Sequence, residues 1–159
     1  MVLSIDQSKV LDLIIEGCKK KHPKSQKALY DRYAGLMLSV CCRYVADRNE
    51  AEEVMLGAFM KAFEKINQYN SDGSFEGWLR KIMVNESLMY LRKHKYMYKE
   101  VEIDQASAIA EQTPADHDLM ADELMGMIHE LPVGYRTVFN LYAIEGFSHK
   151  EISEKMGIS

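Results

Sequence analysis

Aromatic, amide and cationic residues are interleaved in one stretch: Gly73-Ser-Phe-Glu-Gly-Trp-Leu-Arg-Lys-Ile-Met-Val-Asn-Glu-Ser-Leu-Met-Tyr-Leu-Arg-Lys-His-Lys95. Phe75, Trp78, Leu79, Ile82 and Met83 recur every three or four residues, which predicts a helix carrying them on one face. Arg80, Lys81, Asn85, Arg92, Lys93 and Lys95 fill the other positions, with Tyr90, Tyr96 and Tyr98 nearby. Cations attract phosphates, rings stack on bases and an amide reads base edges, so the set suits single-stranded nucleic acid. The same residues also describe a core helix with a solvated basic face, because charge runs are usually solvent faces. Bond-making chemistry has no comparable signature. The chain shows no Gly-rich phosphate loop, metal-ligand cluster or nucleophile motif, so no enzyme activity, cofactor or metal is expected. His22, His94, His117, His129 and His149 are scattered and suit surface or capping roles.

The elements that must position this stretch are helical. Apolar content of 47% in 159 residues suffices for a packed core, and three prolines beside 11 methionines disfavour a turn-rich β fold. A first periodic segment spans about Val10 to Lys21 and stops at His22-Pro23. A second spans Lys24 to Ala46, with Ala28, Leu29, Tyr33, Leu36, Met37, Val40, Cys41 and Tyr44 facing inward. Asn49, with Glu52 as its return partner, is the expected cap of a third helix that ends near Asn67. Val54, Met55, Ala58, Phe59, Ala62, Phe63 and Ile66 make its buried stripe. Gln68 to Ser74 is a polar loop rich in turn residues. Periodicity fades from about Tyr96 to Ala115, an acidic stretch that reads as a flexible linker.

A second helical unit begins near Asp116, with Leu119, Leu124, Met127, Ile128 and Leu131 in its first helix. Pro132 restarts the chain, and Val133 to Ile144 follows with Val138, Leu141 and Tyr142 inward. Ser148 and Glu151 form a reciprocal cap for a last helix that Gly157 ends. Phe147 to Ser159 therefore reads as the front half of a helix-turn-helix, with Ser153 small at the crossing and Ile152, Met156 and Ile158 between the helices. A plain helical hairpin has the same features. The expected recognition helix begins at about Ser159, where the sequence stops.

Charge separates the two parts. Residues 1–99 hold 17 Lys+Arg against 12 Asp+Glu, a net +5; residues 100–159 hold 3 against 12, a net −9. A basic first part beside an acidic second part fits a protein whose first part meets phosphate. Cys18, Cys41 and Cys42 are an odd set without metal-ligand spacing and read as reduced core residues of a cytoplasmic protein. No apolar run is long enough for a membrane span, and no signal-peptide pattern opens the chain.

Four stretches, in order, resemble the bacterial RNA polymerase sigma factors of the extracytoplasmic-function group. They are Leu29 to Tyr33, Asn49 to Phe63, Gly73 to Arg92, and Leu131 to Ser159. The resemblance implies an all-α protein of two small domains: a four-helix region-2-like domain over 1–95 and a three-helix region-4-like domain over 116–159, joined by a linker at 96–115. It implies that the first domain docks on core polymerase and melts the −10 promoter element, and that the second reads the −35 element. Gln68, Tyr69, Asn70, Ser71 and Phe75 match the loop that pockets a flipped base in the family. On the following helix Lys81, Asn85 and Arg92 share a side, Asn85 is expected near the melting point, and Arg80, Lys81, Arg92 and Lys93 are expected to follow phosphates. Helix packing is the alternative use of Asn85.

In the second domain Ser148, His149 and Lys150 are the expected backbone contacts at a helix N-terminus. Glu52, Glu53, Leu56, Gly57 and Met60 fall on the helix that meets the polymerase clamp. Leu56-Gly57 departs from the amide-acid pair usual in the family, and Met89 replaces a usual Asp or Asn. The implied partners are core RNA polymerase, promoter DNA and an anti-sigma factor. A rival reading is a helical interaction module that binds polymerase or an anti-sigma factor without initiating transcription. A one-domain helix-turn-helix repressor is a third reading, disfavoured by the large basic first half.

Overall fold

The computed structural model describes residues 2–94 and 121–157, and among these every regular element is a helix. Contacts divide the chain into two units: Met1–Cys42 with Asp47–Ser87, and Arg43–Ala46 with Leu88–Ser159. The linker expected at 96–115, together with Leu119, Ile158 and the expected start near Asp116, lies outside the described residues.

The first unit is built from α1 (Val2–Lys19), α3 (Arg48–Lys65) and most of α2 (Pro23–Tyr44) and α4 (Phe75–Lys93); Arg43 and Tyr44 at the end of α2, and α4 from Leu88 onward, belong to the second unit. Helix α1 starts well before the predicted Val10, since neither glycine nor proline interrupts the sequence from Val2. It closes in a left-handed turn at Lys21 (φ 60°), where Lys21 N–H donates to Cys18 O at 3.0 Å and His22 N–H to Gly17 O at 3.0 Å. This pair of reversed bonds satisfies carbonyls that the helix end leaves open, and Pro23 then starts α2. Gly17 is required where α1 passes α2: a Cβ there would lie 1.9 Å from Ser25 Oγ and 2.6 Å from Ser25 Cβ.

The core of this unit is apolar and continuous. Leu29, Met37, Val40 and Cys41 of α2 are buried, as are Met55, Ala58, Phe59 and Ala62 of α3 and Phe75, Leu79, Met83 and Val84 of α4. Tyr30 packs edge-on against Phe59 at 5.1 Å between centroids. Cys41 and Cys18 are buried and free, Cys42 is half-buried, and burial pushes the Cys41 thiol up to about 11. Leu36, expected inside, is exposed: α2 offers one stripe to the core and Leu36 falls beyond its edge.

The cap of α3 is a correction. Asp47, not Asn49, sits in the extended cap conformation, and its carboxylate accepts from Glu50 N–H at 3.0 Å. Asn and Asp cap equally well, and the earlier residue adds two residues to the helix. A 3-10 turn at Ile66–Gln68 follows α3 and buries Ile66.

In the second unit, α5 (Ala121–Glu130) and α6 (Val133–Phe139) are separated at Pro132, and α6 runs on into a π-helical turn over Asn140–Ile144. Helix α7 (His149–Met156) has the predicted capping box: Glu151 N–H donates to Ser148 Oγ at 3.2 Å and Ser148 N–H donates to Glu151 at 2.8 Å. Gly157 ends it in the left-handed region at φ 68°. Leu141, Ile152 and Met156 are buried as expected. Tyr142 is not: it is 54% exposed, because the wider π turn moves it off the inward face that α-helical spacing assigns it. The inward positions are taken by polar residues instead. Asn140 donates to Arg43 O at 2.7 Å, and Arg136 donates to Tyr44 O at 3.0 Å and His129 O at 3.3 Å. Backbone carbonyls thus accept from the Asn140 amide and from two nitrogens of the Arg136 guanidinium, while Asn140 Oδ1 and Arg136 Nε are buried without a hydrogen-bond partner among the described residues, and desolvation lowers the Arg136 pKa.

Candidate nucleic-acid interface

The polar loop before α4 has a defined shape. Tyr69 donates its hydroxyl hydrogen to Gly73 O at 3.1 Å, tying the two ends of the loop together. Between them Asn70 Oδ1 accepts from Asp72 N–H at 3.2 Å, an Asx turn, while Ser71 (φ 66°) and Gly73 (φ 97°) both take left-handed backbone. Ser71 adopts this conformation without glycine's freedom, a local strain held in place by its surroundings. Ser74 then caps α4, accepting from Gly77 N–H at 3.0 Å.

Behind the loop is a ring cluster. Tyr69 meets Phe75 edge-on at 5.2 Å and Trp78 at 5.6 Å, and Phe75 meets Trp78 at 5.4 Å. Tyr33 of α2 backs Phe75 at 5.7 Å, and burial pushes its phenol up, so it stays neutral. Such rings fix the loop's exit angle through apolar contact that tolerates little displacement.

The predicted site residues of the loop and α4 separate into three groups. Gln68, Asn70, Ser71, Lys81, Asn85 and Lys93 are exposed. Asn85 lies one turn beyond Lys81 on the outer side of α4, so the amide and the cation face solvent together. Phe75 is only 3% exposed and cannot offer its ring to a base, so its place is in the core behind the loop. Tyr69, Arg80 and Arg92 are half-buried, and Tyr69 spends its hydroxyl inside the loop. Met89 is exposed on α4.

Two features of the site went unread in the sequence. Glu86, on α4, accepts from Lys61 of α3 at 2.6 Å, which neutralises an acid beside the basic face. Nothing in local spacing announces this pair, which spans two helices. The Ser74 cap does have a signal, a serine three residues before Gly77 at the start of an apolar period.

At the start of α7, Ser148, His149 and Lys150 are all exposed. Ser148 uses both its N–H and its hydroxyl in the capping box, so a phosphate would meet the His149 and Lys150 side chains. His149 stacks on Tyr142 at 4.9 Å with 13° between ring planes. On α3, Glu52, Glu53, Leu56, Gly57 and Met60 are all exposed, forming an outer face that mixes acids with apolar groups. Leu56 is 44% and Met60 65% exposed, and nothing lies within 4 Å of a Cβ built on Gly57. Among the described residues no helix is long and apolar enough to cross a membrane.

Comparison with known proteins places both units. Residues 29–96 match the family model of Sigma-70 region 2, and residues 121–159 match that of Sigma-70 region 4. The ECF RNA polymerase sigma factor SigM of Bacillus subtilis is 31% identical over 136 residues, covering 82% of this chain and 81% of SigM. SigW of the same organism is 28% identical over 156 residues, covering 91% of this chain and 83% of SigW. The ECF RNA polymerase sigma-E factor of Haemophilus influenzae is 25% identical over 155 residues, covering 90% of this chain and 82% of the relative.

Proposed function

This chain belongs to the extracytoplasmic-function sigma factors, which direct RNA polymerase in transcription and are not themselves enzymes, and from that premise we propose how its residues share the work. Residues 1–95 form the domain that engages core polymerase and melts the −10 element. Residues 116–159 form the domain directed at the −35 element, with 96–115 as the tether. Promoter DNA and core polymerase are the partners, an anti-sigma factor is the regulator, and the cytoplasm is the compartment in which they meet.

The observation that carries this reading is the pairing of a shaped, exposed loop at 69–74 with an exposed amide and cation, Asn85 and Lys81, on the helix it feeds. Extruding a base costs a few kcal/mol in lost pairing and stacking. A loop already held in shape recovers more of that cost in contacts, because little of its own entropy remains to be lost. Gln68, Asn70 and Ser71 present polar groups to the extruded base. Asn85 contacts DNA at the melting point, and Lys81 and Lys93 follow phosphates, with Arg80 and Arg92 extending from half-buried stems. His149 and Lys150 meet the backbone of the upstream element.

Abortive transcription with core polymerase tests the reading, using Asn85→Ala and Lys81→Ala. Both variants lose promoter opening while still binding core enzyme. Equal loss of opening and binding contradicts the roles assigned here.

The apolar exposure of Leu56 and Met60 favours a second reading, an interaction module that binds polymerase or an anti-sigma factor without opening DNA. In that case a gel shift finds the complex with core enzyme, and no abortive product forms on any promoter.

A further inference from the structure

We propose that Tyr69 is a positioning residue: its hydroxyl, by closing the loop on Gly73 O, sets the base preference of the loop without itself touching the base. The inference rests on the reading that this loop grips an extruded nucleotide, and it assigns Tyr69 a different role from a stacking contact.

Three observations support it. The Tyr69 hydroxyl donates inward to Gly73 O at 3.1 Å, across the loop rather than out of it. The ring is held between Phe75 at 5.2 Å and Trp78 at 5.6 Å, so turning outward would break both ring contacts as well as the hydrogen bond. The residues the closure encloses are the exposed ones: Asn70, Ser71 and Asp72 stand between the tied ends. Ser71 keeps its left-handed backbone (φ 66°) only while its neighbours fix it. Asn70 is likewise turned back, its carbonyl oxygen bound to Asp72 N–H at 3.2 Å, so its amide nitrogen is the group directed to a ligand.

A loop whose donors and acceptors are fixed before binding distinguishes bases by their edges. The same loop untied can rearrange around any base, and discrimination falls while affinity for the strand changes little. Phenylalanine at this position keeps the ring contacts and removes only the tie.

The test uses full-length chain assembled with core RNA polymerase and a randomised pool of single-stranded 20-nucleotide DNA, sequenced after binding. Asn70→Ala marks which position of the bound strand the loop reads. Tyr69→Phe is expected to flatten the preference at that position by on the order of two- to tenfold, the equivalent of one neutral hydrogen bond, and to leave other positions alone. Trp78 is the single tryptophan, so its emission reports the loop directly. Acrylamide should quench it more readily in free Tyr69→Phe than in the native chain. If Tyr69→Phe retains the native preference at the marked position, the positioning role is overturned and the base-gripping reading stands. If the native complex does not form, or shows no preference that Asn70→Ala alters, the base-gripping reading itself fails.

Discussion

Two glycines, one in α1 and one in α3, answer to opposite constraints. Gly17 lies against Ser25, where a Cβ would intrude to 1.9 Å from the hydroxyl oxygen and 2.6 Å from Ser25 Cβ. Gly17→Ala must therefore push α1 from α2, and urea denaturation should show a loss of about 1–3 kcal/mol. Gly57 has open space on the outer face of α3. Gly57→Ala should raise stability by up to about 1 kcal/mol in the same measurement, since alanine restricts the unfolded chain and favours helix. A destabilised Gly57→Ala would mean that this backbone needs glycine for a reason the helix does not show. The fold therefore does not demand glycine in the Leu56-Gly57 pair, which leaves the surface as the place where its effect is felt.

The short helix α7 depends on its ends. With eight residues it makes few internal bonds, so the Ser148–Glu151 box contributes a large share of its order. Ser148→Ala should cost about 0.5–2 kcal/mol of local stability, read by amide exchange over His149–Met156. The box also makes α7 sensitive to acid. Hydrogen bonds from Ser148 hold the Glu151 carboxyl below the ordinary carboxylate range. Because the folded value is the lower one, the ionised form is favoured by folding. The stabilisation is present above the ordinary glutamate value and is lost as pH falls through the depressed one. Exchange protection of α7 should therefore drop in acid, and Glu151→Gln should remove that pH dependence. Persistence of the dependence in Glu151→Gln would assign it to another group.

Charge and surface chemistry decide how the protein meets its partners. If an acidic chain, net −4, meets DNA through the cationic face proposed on α4, binding should weaken with salt in proportion to the phosphates contacted. Lys81→Ala should lower the logarithmic salt slope of promoter binding by about 1, whereas Asn85→Ala should weaken binding with the slope unchanged. An unchanged slope for Lys81→Ala would remove Lys81 from the phosphate track. On α3, Leu56→Gln with Gly57→Glu restores the polar pair usual in the family at positions that are exposed here. Fluorescence titration with core polymerase should find tighter binding by this double variant. Equal binding would show that the apolar face already suits the clamp.

Much of the architecture was legible from spacing alone, because a helix brings residues three and four apart into contact whatever the rest of the chain does. The buried stripe of α3 apart from the half-buried Phe63, the core face of α4, the Ser148 box and the Gly157 stop follow from that local rule. So did the basic face of α4 and the polar loop before it. The departures arose where two local signals compete, where the backbone leaves α-helical spacing, or where neighbours distant in sequence decide the outcome. Asp47 competes with Asn49 for one cap, a π turn rotates Tyr142 outward, and Leu36 falls outside a core stripe whose width other helices set. Lys61 finds Glu86 across two helices, and Phe75, chemically suited to stacking on a base, is enclosed by Tyr33, Tyr69 and Trp78. Residue type states what a side chain is able to do; packing among distant segments settles whether it faces solvent to do it, since burial belongs to the assembled chain and not to any short stretch of it.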